Sequence, residues 1–335
     1  MWLESTGLEQ ATSETVARHK ATRFAQADAP VVDLCCGVGG DALALGSVSP
    51  RGVLAVDLDP GMCQRARLNA SAYGVNERVR VVRSRAEAFP IPPGAWVHID
   101  PDRRAGRETR ARRVADYSPG LDFLRGLIER LPAGALKLSP ASDFHEYFSS
   151  GGLEREVISL GGECKEATVW FGDLANASRR ATRLPEGATW SDRDGPDTPL
   201  YAGPLKTLVF DPDPALVRSG LIRSFAGAHG LSLAVDGLDL LTGDSPVDTA
   251  FLGTFEVEDV LPLDLKGIKK RIHAEGIGRL DIRTKGTPLL PEVVRRQIRP
   301  EGERAATLFL LGGPQSRAIL TTSIRPAGRL SPSPG

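Results

Sequence analysis

The chain has 335 residues, 41% of them hydrophobic, and this length predicts two domains with separate cores. Lysine plus arginine and aspartate plus glutamate both number 42, so net charge does not indicate a polyanionic partner. No stretch approaches the ~18 apolar residues of a membrane span, and the first residues lack the apolar segment of a signal peptide. The four cysteines and five histidines show no metal-ligand spacing. We therefore predict a cytoplasmic protein without a metal or membrane partner, and the oligomeric state stays open.

The most informative pattern is the stretch at residues 31–42, VVDLCCGVGGDA. Its apolar start is typical of a buried parallel strand, and Gly37 and Gly39 permit a tight turn that a ligand can approach closely. The helix that follows directs its free N–H groups toward the same crevice. Asp57 ends the next apolar run, twenty residues after Gly37, where an acid suits the hydroxyls of a ribose. The pattern predicts a nucleoside-binding crevice.

The glycines alone also fit a dinucleotide site, and Asp33 separates the two possibilities. Asp33 lies inside the first strand, four residues before Gly37. A carboxylate there would repel a pyrophosphate and attract an ammonium group. S-adenosylmethionine has an ammonium group, a sulfonium and no phosphate, so Asp33 favours it as the cofactor.

Residues 31–82 resemble class I, Rossmann-like S-adenosylmethionine-dependent methyltransferases, and most specifically the RNA-cap guanine-N2 (trimethylguanosine synthase-like) group. The resemblance is carried by VVDLCCGVGGDALALG, VLAVDLDPGMCQRARLNASAYGV and RVRVVRSRAEAF. It implies that Asp33, Gly37 and Gly39 hold the methionine end of the cofactor and that Asp57 holds the ribose. Asp59 is a second candidate for the ribose, or else a cap of the following turn.

The adenine end departs from the family pattern. The family usually has an acid after the third strand that accepts the adenine amino group, and Arg85 stands at that position here. Two features of the sequence are candidates to replace this acid: a backbone contact at Ala86, or the carboxylate of a shifted Glu87.

Asp100 and Pro101 follow an apolar run and resemble the D/N-P-P-x signature of amino-directed nucleic-acid methyltransferases. An aspartate oxygen and a nearby carbonyl accept the hydrogens of an amine and aim its lone pair at the methyl group. We predict that both residues are catalytic. Asp102 and Arg103 depart from the signature, where relatives have a proline and often an aromatic residue. This departure leaves two alternatives open: a degenerate RNA-binding protein, or an enzyme acting on DNA, protein or a small molecule.

A run of arginines begins directly after this motif, at Arg103, Arg104, Arg107, Arg110, Arg112 and Arg113. Helical spacing also fits a solvated face. Because Arg103 and Arg104 adjoin the acceptor motif, we predict that they bind phosphates of the substrate. Further along, Lys137 and Asp143 fall near the sheet edge where α/β folds bind ligands, with capping the favoured role for Asp143.

Alternating strand and helix patterns, together with the resemblance, predict an α/β Rossmann-like class I methyltransferase sheet over residues 31–175. An N-terminal helical extension at 1–30 precedes it. Residues 176–202 contain few apolar runs and are predicted to form a linker. The patterns restart as a smaller α+β module at 203–325, and a disordered tail follows at 326–335.

The second module resembles a THUMP-like domain, which implies binding of RNA, with tRNA or rRNA the expected classes. Residues 266–304 hold eleven lysines and arginines against five acids, a local surplus that suits phosphates. A solvated helix face on a domain that serves dimerisation or rigidity is the alternative. The candidate RNA contacts are Lys269, Lys270, Arg271, Arg279, Arg283 and Lys285.

Overall fold

The computed structural model describes residues 12–102, 113–313 and 316–324. The chain divides into two compact units, with the boundary between Asp192 and Arg193. In the described part of the chain, no helix is long and apolar enough to cross a membrane.

The first unit is built on one nine-stranded sheet. Its parallel strands are β1 (Val31–Leu34), β2 (Val53–Asp57), β3 (Val79–Arg83), β4 (Trp96–Ile99) and β5 (Ala133–Leu138). The remaining strands are β6 (Leu153–Leu160), β7 (Glu163–Gly172), β8 (Arg179–Leu184) and β9 (Ala188–Ser191). The order is β3-β2-β1-β4-β5-β7-β6-β8-β9, and β7 runs antiparallel to both of its neighbours. This order confirms the predicted α/β Rossmann-like sheet.

The helices of this unit are α1 (Glu14–Ala21), α2 (Gly40–Val48), α3 (Pro60–Ala72), α4 (Leu121–Arg130) and α5 (Phe144–Tyr147). Helix α3 begins after Asp59, whose carboxylate accepts the Met62 N–H at 2.8 Å, with a proline in the first turn. Asp59 therefore acts as the cap that the sequence offered as its alternative role. The buried faces of α1, α2 and α3 pack against β1, β2 and β5 in one apolar core.

The structure differs from the prediction at residues 176–202, where β8 and β9 extend the first sheet instead of forming a linker. Strand β8 pairs in parallel with β6. The buried Glu154 carboxylate of β6 accepts the Asn176 and Ala177 N–H groups at 2.9 and 3.2 Å and pairs with Arg180 at 2.7 Å. Because this strand is held through arginine and a buried acid, it lacks the apolar run that identifies strands in a sequence.

The second unit contains a seven-stranded sheet. Its strands are β10 (Leu208–Pro212), β11 (Ser232–Leu233), β12 (Leu241–Gly243), β13 (Leu252–Pro262), β14 (Ile277–Lys285), β15 (Arg304–Leu311) and β16 (Arg317–Ile324). They lie in the order β11-β12-β10-β13-β16-β15-β14, and only the β14–β15 pair is parallel among the described pairings. This is the predicted α+β module.

The helices of the second unit are α6 (Pro214–Arg218), α7 (Ile222–Ala228), α8 (Leu265–Ala274) and α9 (Pro291–Ile298). Helices α6 and α7 remain separate, because Gly220 lies between them with φ of 73°. Ile268 and Ile272 of α8 pack with Val294 and Ile298 of α9 in the core of this unit. The predicted tail at 326–335 lies outside the described residues.

Candidate active site

The turn between β1 and α2 has the backbone conformation that its glycines permit. Gly37 and Gly39 have φ of 54° and 90°, and Gly39 is the residue that caps α2. A Cβ atom on Gly37 would meet no atom within 4 Å, whereas one on Gly39 would touch Ala66 at 3.4 Å. The backbone of Gly37 is therefore open to a ligand, while Gly39 permits close packing of the turn against α3.

The Asp57 carboxylate, at the end of β2, joins this turn to the start of α3. One oxygen accepts the Gly37 N–H at 2.8 Å, and the other accepts the Asp59 N–H at 2.9 Å. Burial raises the pKa of Asp57, and the hydrogen bonds from Asp59 and Gly37 offset part of that rise. The Asp57 carboxylate thus holds the glycine turn through Gly37 and the residues before α3 through Asp59.

A cavity of about 500 Å³ opens beside Asp57, within the size range of small-molecule sites. The ends of β1, β2 and β3 contribute most of its wall, and the loop after β4 contributes the rest. Ala86, Arg85 and Glu87, the residues considered for adenine, all line it, and Arg85 pairs with Glu87 at 3.5 Å. The other lining residues are Cys35, Val56, Asp57, Leu58, Asp59, Pro60, Arg83, Ser84, Asp102, Ser118 and Pro119.

Asp33 is buried, with 1% of its surface exposed, and is not among the residues that line this cavity. Its Oδ1 lies 2.7 Å from Nδ1 of His98, and its Oδ2 is buried without a hydrogen-bond partner among the described residues. Burial raises the pKa of Asp33, although the charge and hydrogen bond of His98 act in the opposite direction. A buried acceptor without a partner is costly. This oxygen fits the ammonium group of S-adenosylmethionine, as does the open backbone at Gly37.

Asp33 lies next to a cluster of buried charges. No sequence pattern identifies this cluster. The ammonium group of Lys20, on α1, lies 2.8 Å from Asp41, 2.7 Å from Glu166 and 3.1 Å from Nε2 of His98. Burial alone would lower the pKa of Lys20, but the charges of Asp41 and Glu166 raise it above its usual range. His98 is buried and links this lysine to Asp33, one ring nitrogen facing each.

The acceptor loop after β4 lies next to both the cavity and the buried charges. The Asp100 N–H bonds to the carbonyl of Leu34, the residue before Cys35 in the cavity wall. One carboxylate oxygen of Asp100 lies 2.5 Å from Nζ of Lys137, on β5. Pro101 is buried, and Asp102 exchanges two backbone hydrogen bonds with Ser118 at 2.7 and 3.0 Å. The structure therefore brings the predicted catalytic loop to the edge of the cavity.

Two other predictions near this loop have different outcomes. Arg103 and Arg104, predicted to bind phosphates, lie outside the described residues, as do Arg107, Arg110 and Arg112. Arg113 is described and exposed. The capping role of Asp143 is wrong, because its side chain makes no capping hydrogen bond and accepts the Val114 N–H at 2.8 Å instead.

The predicted RNA contacts of the second unit fall into two groups. Lys269, Lys270 and Arg279 form no ion pair in the described part of the structure. The other three are neutralised by neighbouring acids. Arg271 pairs with Asp259 and Glu275, Arg283 with Asp211 and Asp281, and Lys285 with Asp211, at distances of 2.6 to 2.9 Å.

Known proteins share both the sequence and the fold. Residues 31–99 match the family model described as methyltransferase domain, and residues 252–323 match the model described as THUMP domain-like. Two uncharacterised S-adenosylmethionine-dependent methyltransferases of Mycobacterium tuberculosis, from strains CDC 1551 and H37Rv, are each 34% identical over 311 residues. The match covers 90% of this chain and 82% of each relative.

A solved structure from Porphyromonas gingivalis W83, of a protein classed provisionally as a methyltransferase, has a TM-score of 0.77 at 21% identity. The match covers 95% of this chain and 82% of that chain. This likeness shows the fold over nearly the whole chain.

The strand order, the glycine turn and the acidic end of β2 define a class I, Rossmann-like methyltransferase fold, followed by a THUMP-like module. The chain belongs to the family of S-adenosylmethionine-dependent methyltransferases. Its enzyme class and its cofactor, both predicted from the sequence, are confirmed.

Proposed function

We propose that this methyltransferase acts on a base nitrogen of RNA, an exocyclic amine of the guanine-N2 type, in tRNA or rRNA. The observation that carries the proposal is the position of Asp100 and Pro101. They follow β4 and directly precede Asp102, which lines the cavity, so an acceptor beside them would lie near the methyl group. The choice of guanine N2 draws on the resemblance of residues 31–82 to trimethylguanosine synthase-like enzymes.

The cofactor site that we propose uses residues on both sides of the glycine turn. Asp57 would hold the ribose hydroxyls, and the backbone at Gly37 and Gly39 would hold the methionine end. The unpartnered oxygen of Asp33 would accept the ammonium group. Ala86, in the cavity wall, would contact adenine through its backbone. When bound, S-adenosylmethionine supplies an electrophilic methyl group on its sulfonium.

Asp100 would orient the acceptor amine. Lys137 occupies one of its carboxylate oxygens, so the other is the one that would accept an N–H of the amine. The Pro101 carbonyl would accept a second N–H. With both hydrogens held, the nitrogen lone pair is aimed at the methyl carbon, and much of the catalysis is positioning.

Delivery of the RNA would fall to cations outside the cavity. Arg103 and Arg104 adjoin the acceptor motif in the sequence, and Lys269 and Lys270 on α8 have no acidic partner among the described residues. Arg271 and Arg283 complete the predicted set, but a phosphate would have to compete with the acids that already pair with them. The match of residues 252–323 to the THUMP domain-like model supports RNA as the substrate class.

Transfer of tritium from labelled S-adenosylmethionine to total RNA, taken from a strain that lacks the gene, tests this function. We expect label in RNA, and N2-methylguanosine after digestion and mass spectrometry. The Asp100→Ala variant should lose transfer while calorimetry shows nearly unchanged cofactor binding. Cofactor binding without transfer to any RNA class would refute the substrate assignment, and label in another nucleoside would refute guanine N2.

A further inference from the structure

Thr12, at the start of the described chain, reaches the buried charges beside the acceptor loop. Its hydroxyl lies 2.6 Å from Oδ2 of Asp41 and 2.7 Å from Nζ of Lys137. Its backbone packs against the first turn of α2, where a Cβ atom on Gly40 would approach the Thr12 carbonyl to 3.5 Å. Thr12 is therefore held against α2, the helix that follows the glycine turn.

Lys137 is the centre of this arrangement. It is 9% exposed, and its ammonium group contacts Asp100 at 2.5 Å and Thr12 at 2.7 Å, with Asp41 at 3.8 Å. Burial alone would lower the pKa of Lys137, but the charges of Asp100 and Asp41 raise it, so the ammonium group stays charged at neutral pH. Because Thr12, Asp100 and Asp41 surround it, the ammonium group of Lys137 has little freedom to move.

Asp100 is the most exposed of the three charged groups, with 29% of its side chain exposed against 10% for Lys137 and 9% for Asp41. A carboxylate at the end of a strand can rotate about two bonds unless a partner holds it. The charge-assisted hydrogen bond from Lys137 fixes one oxygen and thereby sets the direction of the other. The direction of that second oxygen decides where an acceptor nitrogen would sit.

We propose that Lys137 and Thr12 are positioning residues for methyl transfer: Lys137 fixes the Asp100 carboxylate, and Thr12 fixes Lys137 against α2. This inference rests on the role of Asp100 in the proposed function. It makes Thr12 part of the support of the catalytic centre, although Thr12 lies far from Asp100 in sequence.

Steady-state kinetics of four variants tests the inference, with labelled S-adenosylmethionine and total RNA from a strain that lacks the gene. Because a misplacement of about 1 Å can cost on the order of 100-fold in rate, Lys137→Met should lower kcat about 100-fold. Thr12→Val should lower kcat about 10-fold, and Thr12→Ser should restore it. The Kd for S-adenosylmethionine should stay within about 2-fold of the wild-type value throughout.

Thr22→Val is the matched control. Thr22 directly follows α1, and its exposed hydroxyl donates to the His19 carbonyl and touches none of the buried charges. We expect wild-type kcat for this variant. If Lys137→Met does not fold, the comparison of Thr12→Val with Thr12→Ser still decides the question.

Failure of this inference is distinguishable from failure of the proposed function. Wild-type kcat in Lys137→Met and Thr12→Val, with Asp100→Ala inactive, would overturn the positioning role alone. An active Asp100→Ala variant would overturn the role of Asp100 and this inference with it. Crystal structures of Lys137→Met and Thr12→Val give a readout that needs no acceptor. If the Asp100 carboxylate stays ordered in its wild-type position in both structures, the inference is also overturned.

Discussion

Asp57 shows how one carboxylate shapes the proposed cofactor site before any ligand enters. It accepts the N–H groups of Gly37 and Asp59, one on each oxygen, so it orients the turn that lies beside the cavity. Both bonds involve a charged acceptor, and each such bond contributes about 1.5–3 kcal/mol. The site is therefore partly organised in advance of binding.

We expect Asp57→Asn to weaken S-adenosylmethionine binding about 10- to 100-fold, because the amide group turns an N–H donor toward a backbone N–H donor. Isothermal titration calorimetry measures the effect. Asp122→Asn is the matched control, since Asp122 is exposed in the first turn of α4 and does not line the cavity, and it should bind the cofactor normally. Equal losses in the two variants would contradict a special role for Asp57.

Glu156, on β6, is a buried acid whose titration should affect stability. Burial alone would raise its pKa, but the hydrogen bond and charge of His19, the charge of Arg23 and the Thr182 hydroxyl lower that pKa to about 2. An acid with a lowered pKa stabilises the fold above its unfolded value of 4.5 and loses this contribution as the pH falls toward 2.

We therefore expect the free energy of unfolding to fall by about 3 kcal/mol from Glu156 alone between pH 5 and pH 2. Urea unfolding across this range measures the decline. Glu156→Gln, which cannot ionise, should be less stable at pH 7 and should show a shallower decline than the wild type. Parallel pH curves for the two proteins would contradict the assignment.

The sequence predicted the local part of the site better than the long-range part. Gly37, Asp57 and Asp100 follow apolar runs, and parallel strands bring their ends to one sheet edge, so their proximity could be expected. Lys20 and Thr12 carry no such signal. Their partners Asp41, Glu166 and Lys137 are set by tertiary packing, and one sequence without an alignment contains no trace of that pairing.

At the level of elements, α2 packs unusually close to β3. A Cβ atom on Gly46 of α2 would lie 2.4 Å from Cγ2 of Val79, so the glycine makes the contact possible. Gly126 of α4 differs, because a Cβ atom there would meet only the flexible end of Arg130, at 3.7 Å. Substitution of Gly46 therefore tests tight packing, whereas substitution of Gly126 tests helix propensity.

We expect Gly46→Ala to destabilise the protein by about 1–2 kcal/mol, since overpacking outweighs the gain in helix propensity. Gly126→Ala should instead stabilise it by about 0.5–1 kcal/mol. Chemical denaturation of both variants measures the difference. A stabilising Gly46→Ala substitution would mean that Val79 moves aside at little cost.

The elements themselves were predictable where apolar residues mark them and not elsewhere. Strands β1, β2 and β4 follow apolar patterns and could be expected from the sequence. Strand β8 could not, because Arg179, Arg180 and Arg183 are half of its six residues and the surrounding chain is rich in glycine, proline and aspartate. The position of β8 in the sheet depends on the buried Glu154, which belongs to the neighbouring strand β6.

For the whole molecule, the sequence and the structure agree on two units of different architecture. If the proposed RNA binding is correct, the cations of the second unit that lack acidic partners should contribute to the salt dependence of affinity. Each phosphate contact contributes about 0.7–0.9 to the slope of log K against log salt.

We expect the double variant Lys269→Ala/Lys270→Ala to lower that slope by about 1.4–1.8 for an RNA hairpin. Fluorescence anisotropy at several salt concentrations measures it. Lys165→Ala, which removes a half-exposed lysine from the β7 strand of the first unit, should leave the slope unchanged. An unaltered slope in the double variant would exclude these two lysines from the RNA contact.

The contacts of α1 also have a consequence for the order in which the protein is made. His19 bonds to Glu156, which lies 137 residues later, and Lys20 pairs with Glu166 of β7. Helix α1 emerges from the ribosome before β6 and β7, which carry its buried partners. The charges of His19 and Lys20 therefore meet these partners only after β7 has been synthesised.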